Sequence, residues 1–188
     1  EIIRQAKIDK DTVGGLVECH AFNVPPGLGS TMDWRDKLDA RLAFAVMSIQ
    51  AIKGVEIGPA FDVARRRGSG AHDPIHHDAG AQTFTRPSNR AGGLEGGITN
   101  GMPVRVRAAM KPISTLRRAL PSVDITTKEP FEAAIERSDT CAVAADSEVA
   151  ESLIALVMAD AAVEKFGGDS LGEMKRNLEG YLEQIRRF

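Results

Sequence analysis

Apolar residues recur at the helical interval over residues 33–49, where Leu38, Leu42, Ala45, Val46 and Ile49 fall on one stripe. This spacing predicts a helix, with Asp33 able to cap its start. A second helix is expected over 147–166, stopped by Gly167-Gly168. A third follows Asp169 or Ser170, either of which can cap it, and carries Leu171, Met174, Leu178, Tyr181 and Ile185 on one face. The opening stretch, residues 1–8, reads as the tail of a helix with no capping residue in front of it, so the chain is read as a fragment of a longer protein.

Strand patterns occupy the intervals. Residues 12–24 mix Val13, Leu16, Cys19, Ala21 and Phe22 with Gly14-Gly15, a pair that lets another backbone or a ligand come close. Short strands are expected over 52–57 and, between Pro121 and Pro130, over 123–126. The run Val104-Arg105-Val106-Arg107-Ala108-Ala109-Met110 begins with apolar/polar alternation, as a half-buried strand should. From Arg65-Arg66-Arg67 to Asn89 the chain is polar and aperiodic, which predicts a long functional or mobile loop. Residues 91–99 read as glycine-rich and extended, and Gly92-Gly93-Leu94-Glu95 faintly echoes Gly14-Gly15-Leu16-Val17-Glu18. Interleaved strands and helices with connections of unequal length indicate an α+β fold: a mixed, mainly antiparallel sheet with helices packed on its outer face.

Composition narrows the classes. The chain has 188 residues, a hydrophobic fraction of 43% and a net charge of −2, so nothing in the balance demands nucleic acid or an acidic membrane surface. No apolar run reaches the length of a membrane span, and no signal peptide is visible at the start. Cys19 and Cys141 read as reduced thiols of a cytoplasmic protein, and with His20 they are too few for a zinc site, so no metal is expected.

Four segments can carry chemistry. In Asn89-Arg90-Ala91-Gly92-Gly93-Leu94-Glu95-Gly96-Gly97-Ile98-Thr99-Asn100-Gly101, five glycines fall within ten residues; they suit either a flat ligand on bare backbone or close packing of chain segments. The spacing is that of neither a dinucleotide fingerprint nor a phosphate loop. Lys111-Pro112-Ile113-Ser114-Thr115 offers an ammonium and two hydroxyls to a phosphate or a ring edge, or is simply a turn. Arg137-Ser138-Asp139-Thr140-Cys141 is a solvated pair or, in a cleft, an anion binder beside a base. Arg65-Arg66-Arg67 is a basic turn able to attract an anion, and His72, His76 and His77 read as surface histidines.

Taken in order, these segments resemble the chorismate synthases, in particular the bacterial monofunctional enzymes. The resemblance rests on Val13-Gly14-Gly15-Leu16-Val17-Glu18, Pro26-Gly27-Leu28-Gly29, Lys37-Leu38-Asp39-Ala40, the run 47–58 from Met47-Ser48-Ile49-Gln50, the run 89–102, residues 111–115, Arg137-Ser138-Asp139 and Lys165-Phe166-Gly167-Gly168-Asp169-Ser170. It spans about residues 11–177 and implies that the chain, 1–188, is the carboxyl-terminal portion of such an enzyme, with the amino-terminal half missing.

What the resemblance implies is specific. Chorismate synthases eliminate phosphate and a ring hydrogen from 5-enolpyruvylshikimate 3-phosphate in a 1,4 sense. They require reduced FMN without net redox change, in the last shared step of aromatic amino-acid biosynthesis. By similarity, flavin contacts fall on Gln50, Ala51, Gly96, Lys111, Pro112, Ile113, Ser114, Thr115 and Arg137; Arg137 also faces the substrate; Asp139 manages the proton at flavin N5. The family forms homotetramers. A substrate with one phosphate and two carboxylates requires cations around it. No nicotinamide-binding motif is visible, which leaves the route of flavin reduction open.

The chain also departs from the family pattern. Arg-Ser-Asp-Thr-Cys stands where many members have Arg-His-Asp-Pro-Cys, Ala144 and Ala145 where a proline is common, and Asp146 and Glu148 in a usually apolar stretch. The family's Gly-Glu-Ser-His-Gly motif and its catalytic histidines lie outside these residues, so the chain alone is expected to have little turnover. The alternatives are a non-catalytic flavin- or anion-binding module and a remnant that folds poorly.

Overall fold

The alternating stretch at residues 104–110 is the middle strand of the sheet that organises the chain. The computed structural model describes residues 1–81 and 83–187. First come α1 (Ile2–Ile8), β1 (Gly15–Ala21), α2 (Leu38–Met47) and β2 (Ile52–Ile57). Then follow α3 (Ala60–Val63), α4 (Gly68–Ala71) and two small hairpins, β3 (His76–Asp78) with β4 (Thr83–Thr85) and β5 (Leu94–Glu95) with β6 (Ile98–Thr99). After these come β7 (Val104–Met110), a third hairpin of β8 (Pro121–Val123) with β9 (Pro130–Glu132), α5 (Val143–Phe166) and α6 (Leu171–Arg186).

β7 is paired on both edges and both pairings are antiparallel, in the order β1-β7-β2. Against β1 the register runs from Gly15 opposite Met110 to Ala21 opposite Val104. Against β2 it shifts between Ile52 and Gly54, where Lys53 is the extra residue of a bulge. The two-residue period sends Val104, Val106 and Ala108 into the core and Arg105 and Arg107 to the opposite face.

Helices cover the apolar face. Leu38, Leu42 and Val46 of α2 are fully buried, and Ala150, Ile154 and Ala161 bring α5 down onto β1 and α2. Each fully buried Leu or Val side chain contributes roughly 1.5–3 kcal/mol. Gly167 and Gly168 end α5, and α6 returns with Met174, Leu178 and Tyr181 at the core margin. The Ser170 hydroxyl caps α6 by accepting from the Glu173 amide at 3.2 Å. Leu171, at the head of the expected apolar face, is exposed instead.

The opposite face of the sheet carries a charge ladder. Glu18 accepts from Arg105 at 2.7 Å and lies 3.0 Å from Arg107 Nε, while Arg107 also pairs with Glu56 at 2.7 Å. The Arg105 hydrogen bond, then that of His20, holds the Glu18 carboxyl below the usual carboxylate range. On the solvent side of the helix layer, Phe44 is 79% exposed, and Met47, Val149, Leu156 and Val163 are exposed with it. No helix among the described residues is long and apolar enough to cross a membrane.

The α+β class agrees with the pattern of the sequence; several boundaries do not. α2 starts at Leu38, because Asp33 accepts from the Arg35 amide at 2.8 Å and pairs with its guanidinium at 2.8 Å, closing a local turn instead of capping a helix. The strand expected over 123–126 lies earlier, at β8, and Asp124 instead opens the turn by accepting from the Thr126 and Thr127 amides at 2.8 and 2.7 Å. α5 begins at Val143, four residues before the expected start at 147. The polar stretch before Asn89 contains α4 and the β3–β4 hairpin, with Gln82 outside the described residues. Asp73 anchors it, accepting from the Ser88 hydroxyl at 2.5 Å and from the amides of Arg90 and Ala91 at 2.9 Å each. Burial alone would raise the Asp73 carboxyl; these hydrogen bonds more than offset it and leave it lowered.

One core residue works against the fold. Asp146, in the first turn of α5, is 5% exposed, and its Oδ2 has no hydrogen-bond partner among the described residues. Desolvation raises its carboxyl above the ordinary range. The folded state therefore holds the proton to higher pH than the unfolded state: the neutral form is fully retained below the unfolded pKa, and stability is lost as pH rises through the folded value. Asp146→Ala is expected to raise unfolding free energy at pH 7 by about 1–3 kcal/mol, with the gain shrinking as pH falls toward 4. Urea unfolding at both pH values checks this; a less stable variant at pH 7 would refute it.

Candidate functional site

Three hydrogen bonds gather distant segments at the Met110 end of β7. The Lys111 amide donates to the Ala51 carbonyl at 2.9 Å, which sets Gln50 and Ala51 beside the 111–115 loop. The Thr12 hydroxyl donates to the Ile113 carbonyl at 2.9 Å and fixes the middle of that loop. The Val13 amide donates to the Thr140 carbonyl at 2.9 Å and draws in the 137–139 segment.

Glycine makes the approach possible. A Cβ on Gly14 would stand 2.1 Å from the Met110 carbonyl oxygen and 2.9 Å from the Lys111 carbonyl carbon. Of the two partners that the Gly14-Gly15 pair allowed, the structure shows backbone. Ala51 closes the other side with φ of 68°, a left-handed conformation that costs a residue with a Cβ roughly 1–2 kcal/mol. It lies in the short turn between α2 and the bulge of β2.

The side chains at this end are uncommitted. Among the described residues, Gln50, Lys111, Ser114, Thr115, Arg137 and Asp139 make no side-chain hydrogen bond or ion pair. Ser138 is buried and its hydroxyl donates to the Asp139 carbonyl at 2.9 Å, so it anchors a segment in which Arg137 and Asp139 are both exposed. Gln50 also lines a groove of about 410 Å³ with Met110 and Asp146. Two cations, two hydroxyls, an amide and a carboxylate can bind an anionic, ring-bearing ligand and place a proton acceptor next to it.

The glycine-rich run lies elsewhere. Arg105 donates its amide to the Gly92 carbonyl at 3.0 Å, which puts the run at the Val104 end of β7. A seven-residue strand places it roughly 20 Å from Lys111. Gly92 locks against Gly58, where an added Cβ would meet its nitrogen at 2.4 Å, and Gly93 locks against Pro103 in the same way. Close packing therefore accounts for these glycines. Gly96 differs: its φ is 63°, and the nearest group to an added Cβ is the Thr31 methyl at 3.7 Å. It is not gathered with the other expected contacts.

The remaining candidates are dispersed. Arg66 pairs with Asp62 at 3.0 Å, and Arg65 lines a cleft on the charged face of the sheet beside Arg105 and Arg107. His77 rests its ring against Phe84, 5.3 Å between centroids. No group of three metal-ligating side chains occurs among the described residues, and both cysteines are free. Burial pushes the Cys19 thiol up, reinforced by Glu151 and Asp146. Sequence reasoning missed Thr12 and Val13 as the hooks of the site; the adjacent glycine pair was the one signal that a second backbone had to arrive there.

Comparison with known proteins converges on one family. The family model described as chorismate synthase matches residues 1–163. The chain is 62% identical over 184 residues to the chorismate synthase of Geobacter sulfurreducens, covering 95% of this chain and 47% of that protein. It is 63% identical over 180 residues to the chorismate synthase of Salinispora tropica, covering 96% and 45%. A crystal structure of chorismate synthase superimposes with a TM-score of 0.83 at 45% identity, covering 100% of this chain and 48% of that one. The chain thus spans about half the length of the relatives it matches.

Gly14→Ala is expected to lower unfolding free energy by about 1–3 kcal/mol and to shift the amide resonances of residues 111–115. Denaturant unfolding and an amide correlation spectrum read both, and a variant with unchanged loop resonances would break the link between β1 and the site.

Proposed function

The chain belongs to the chorismate synthase family, and we propose that it supplies the carboxyl-terminal half of an enzyme that converts 5-enolpyruvylshikimate 3-phosphate to chorismate and phosphate. The observation that carries the reading is the convergence of Gln50, Ala51, residues 111–115 and Arg137 to Asp139 at one end of the sheet, with their polar side chains uncommitted. The cations and hydroxyls of residues 111–115 and Arg137 suit the phosphate and polar ring edge of a flavin mononucleotide, which in its reduced form would lend an electron as the substrate's phosphate departs and would accept the departing ring hydrogen.

The chain's own residues have separate tasks. Lys111, Ser114 and Thr115 hold the polar edge and phosphate of the flavin through charge-assisted and hydroxyl hydrogen bonds. Gln50 and Ala51 form the adjoining wall, and the strained backbone of Ala51 keeps that wall fixed. Arg137 meets an anionic group of the substrate. Asp139 holds the proton exchanged at flavin N5, and the buried Ser138 keeps the two exposed side chains in place. Gly96 lies a strand length from this cluster, so its carry-over as a flavin contact requires the apposed loop of a second copy, in keeping with a homotetramer.

The other half has a place to dock. Phe44, Met47, Val149, Leu156 and Val163 set apolar side chains on the solvent side of the helix layer, so α5 turns apolar residues both to the core and outward, as befits a helix lying between two layers. The upstream half of the same protein covers this face and contributes the family's remaining catalytic residues. A non-catalytic flavin-binding module is the competing outcome.

Anaerobic chorismate formation with reduced FMN tests the reading, comparing this chain alone with the same chain joined to its upstream coding sequence. Activity is expected only in the joined form. In that form Asp139→Ala is expected to reduce turnover by about 10²–10⁴-fold. Full activity of Asp139→Ala would remove Asp139 from the chemistry, and a folded but silent joined protein would leave the binding module as the better account.

A further inference from the structure

The end of α1 and the root of the β8–β9 hairpin enclose a cleft of about 500 Å³ whose lining includes Lys7, Lys10, Arg117, Ile135, Glu136 and Arg137. Four cations face one carboxylate, in a chain whose net charge is −2. None of the four has an ion pair among the described residues. Arg118, next in sequence to Arg117, instead pairs with Asp11 at 3.0 Å and ties the hairpin root to the segment just after α1. Like charges held this close repel one another until an anion arrives.

Lys10 adds an independent sign. α1 ends with the Asp11 amide donating to the Ala6 carbonyl at 2.9 Å, and Lys10 sits within that closing turn at φ 58°. This is the left-handed position after a helix that glycine fills most readily. Here a lysine occupies it, at a conformational cost, and its side chain lines the cleft. Strain retained against the local preference marks a position whose side chain has a use.

We propose that Lys7, Lys10, Arg117 and Arg137 form a binding site for a phosphate group. A phosphate dianion has the charge and the several acceptor oxygens to engage ammonium and guanidinium groups together, and the cleft is within the size range of a small-ligand site. The source is free phosphate or the phosphoryl group of a larger ligand. The proposal shares Arg137 with the function proposed above, but binding of phosphate requires neither turnover nor the upstream half, so the two can fail separately.

The test titrates inorganic phosphate into the 188-residue chain at low ionic strength, followed by amide resonances and calorimetry, with circular dichroism confirming the fold of each variant. Saturable binding is expected, weakening as salt rises because the groups are exposed. Lys10→Gly separates function from structure: it should raise the melting temperature by relieving the left-handed lysine while weakening phosphate binding by about fivefold or more. Lys7→Ala combined with Lys10→Gly should weaken it further. A second arm compares FMN with riboflavin: a preference for FMN that the double variant abolishes assigns the cleft to the flavin phosphate, whereas a preference left intact while inorganic phosphate binding is lost assigns it to free or substrate phosphate. Phosphate affinity unchanged in Lys10→Gly, or no saturable binding in the parent chain, overturns the proposal.

Discussion

A strand paired on both edges cannot slip register without breaking two ladders and turning its apolar residues outward. β7 is that strand here, and the rest of the chain is arranged by its two ends. At the Val104 end, glycines 92 and 93 let loops lock against Gly58 and Pro103. At the Met110 end, hydrogen bonds from the Lys111 and Val13 amides and the Thr12 hydroxyl draw together four segments far apart in sequence. The candidate site is therefore a property of strand register before it is a property of any side chain.

Several unfavourable local features of the fold lie at that second end. Ala51 and Lys10 take left-handed backbone conformations, Gly14 admits no side chain, and Asp146 keeps a carboxyl oxygen buried without a partner. On the open face of the sheet Glu18 and Glu56 are paired with arginines, and Asp73 satisfies its loop with three hydrogen bonds.

Much of this was legible in the residues. The alternation of 104–110 gave the central strand at its observed bounds, β2 likewise, and the apolar stripe of α2 named Leu38, Leu42 and Val46 before their burial was known. Boundaries set by side-chain competition were not legible: Asp33 can cap a helix or close a turn, and only the guanidinium of Arg35 decides between them. The hairpins in the polar stretch depend on the anchoring of Asp73 by residues fifteen and more positions away, which no local pattern encodes. Of the candidate site, the segments were recognisable and their convergence was not, because it rests on main-chain bonds such as that from Val13 to Thr140, which leave no mark on residue type.

The register of β1 against β7 also sets a clock. Gly15 pairs with Met110, so β1, ending at Ala21, leaves the ribosome with about 90 residues still to be made before its partner strand is complete. At roughly 5–20 residues per second, that is an interval on the order of 5–20 s. During it, the strand that carries Leu16, Val17 and Cys19 lacks that edge to join, and closing so distant a pairing is intrinsically slow. Nascent chains of this protein therefore present a sticky, unpaired strand for seconds at a time, which makes the interval before Met110 emerges the period in which a ribosome-associated chaperone has most to shield.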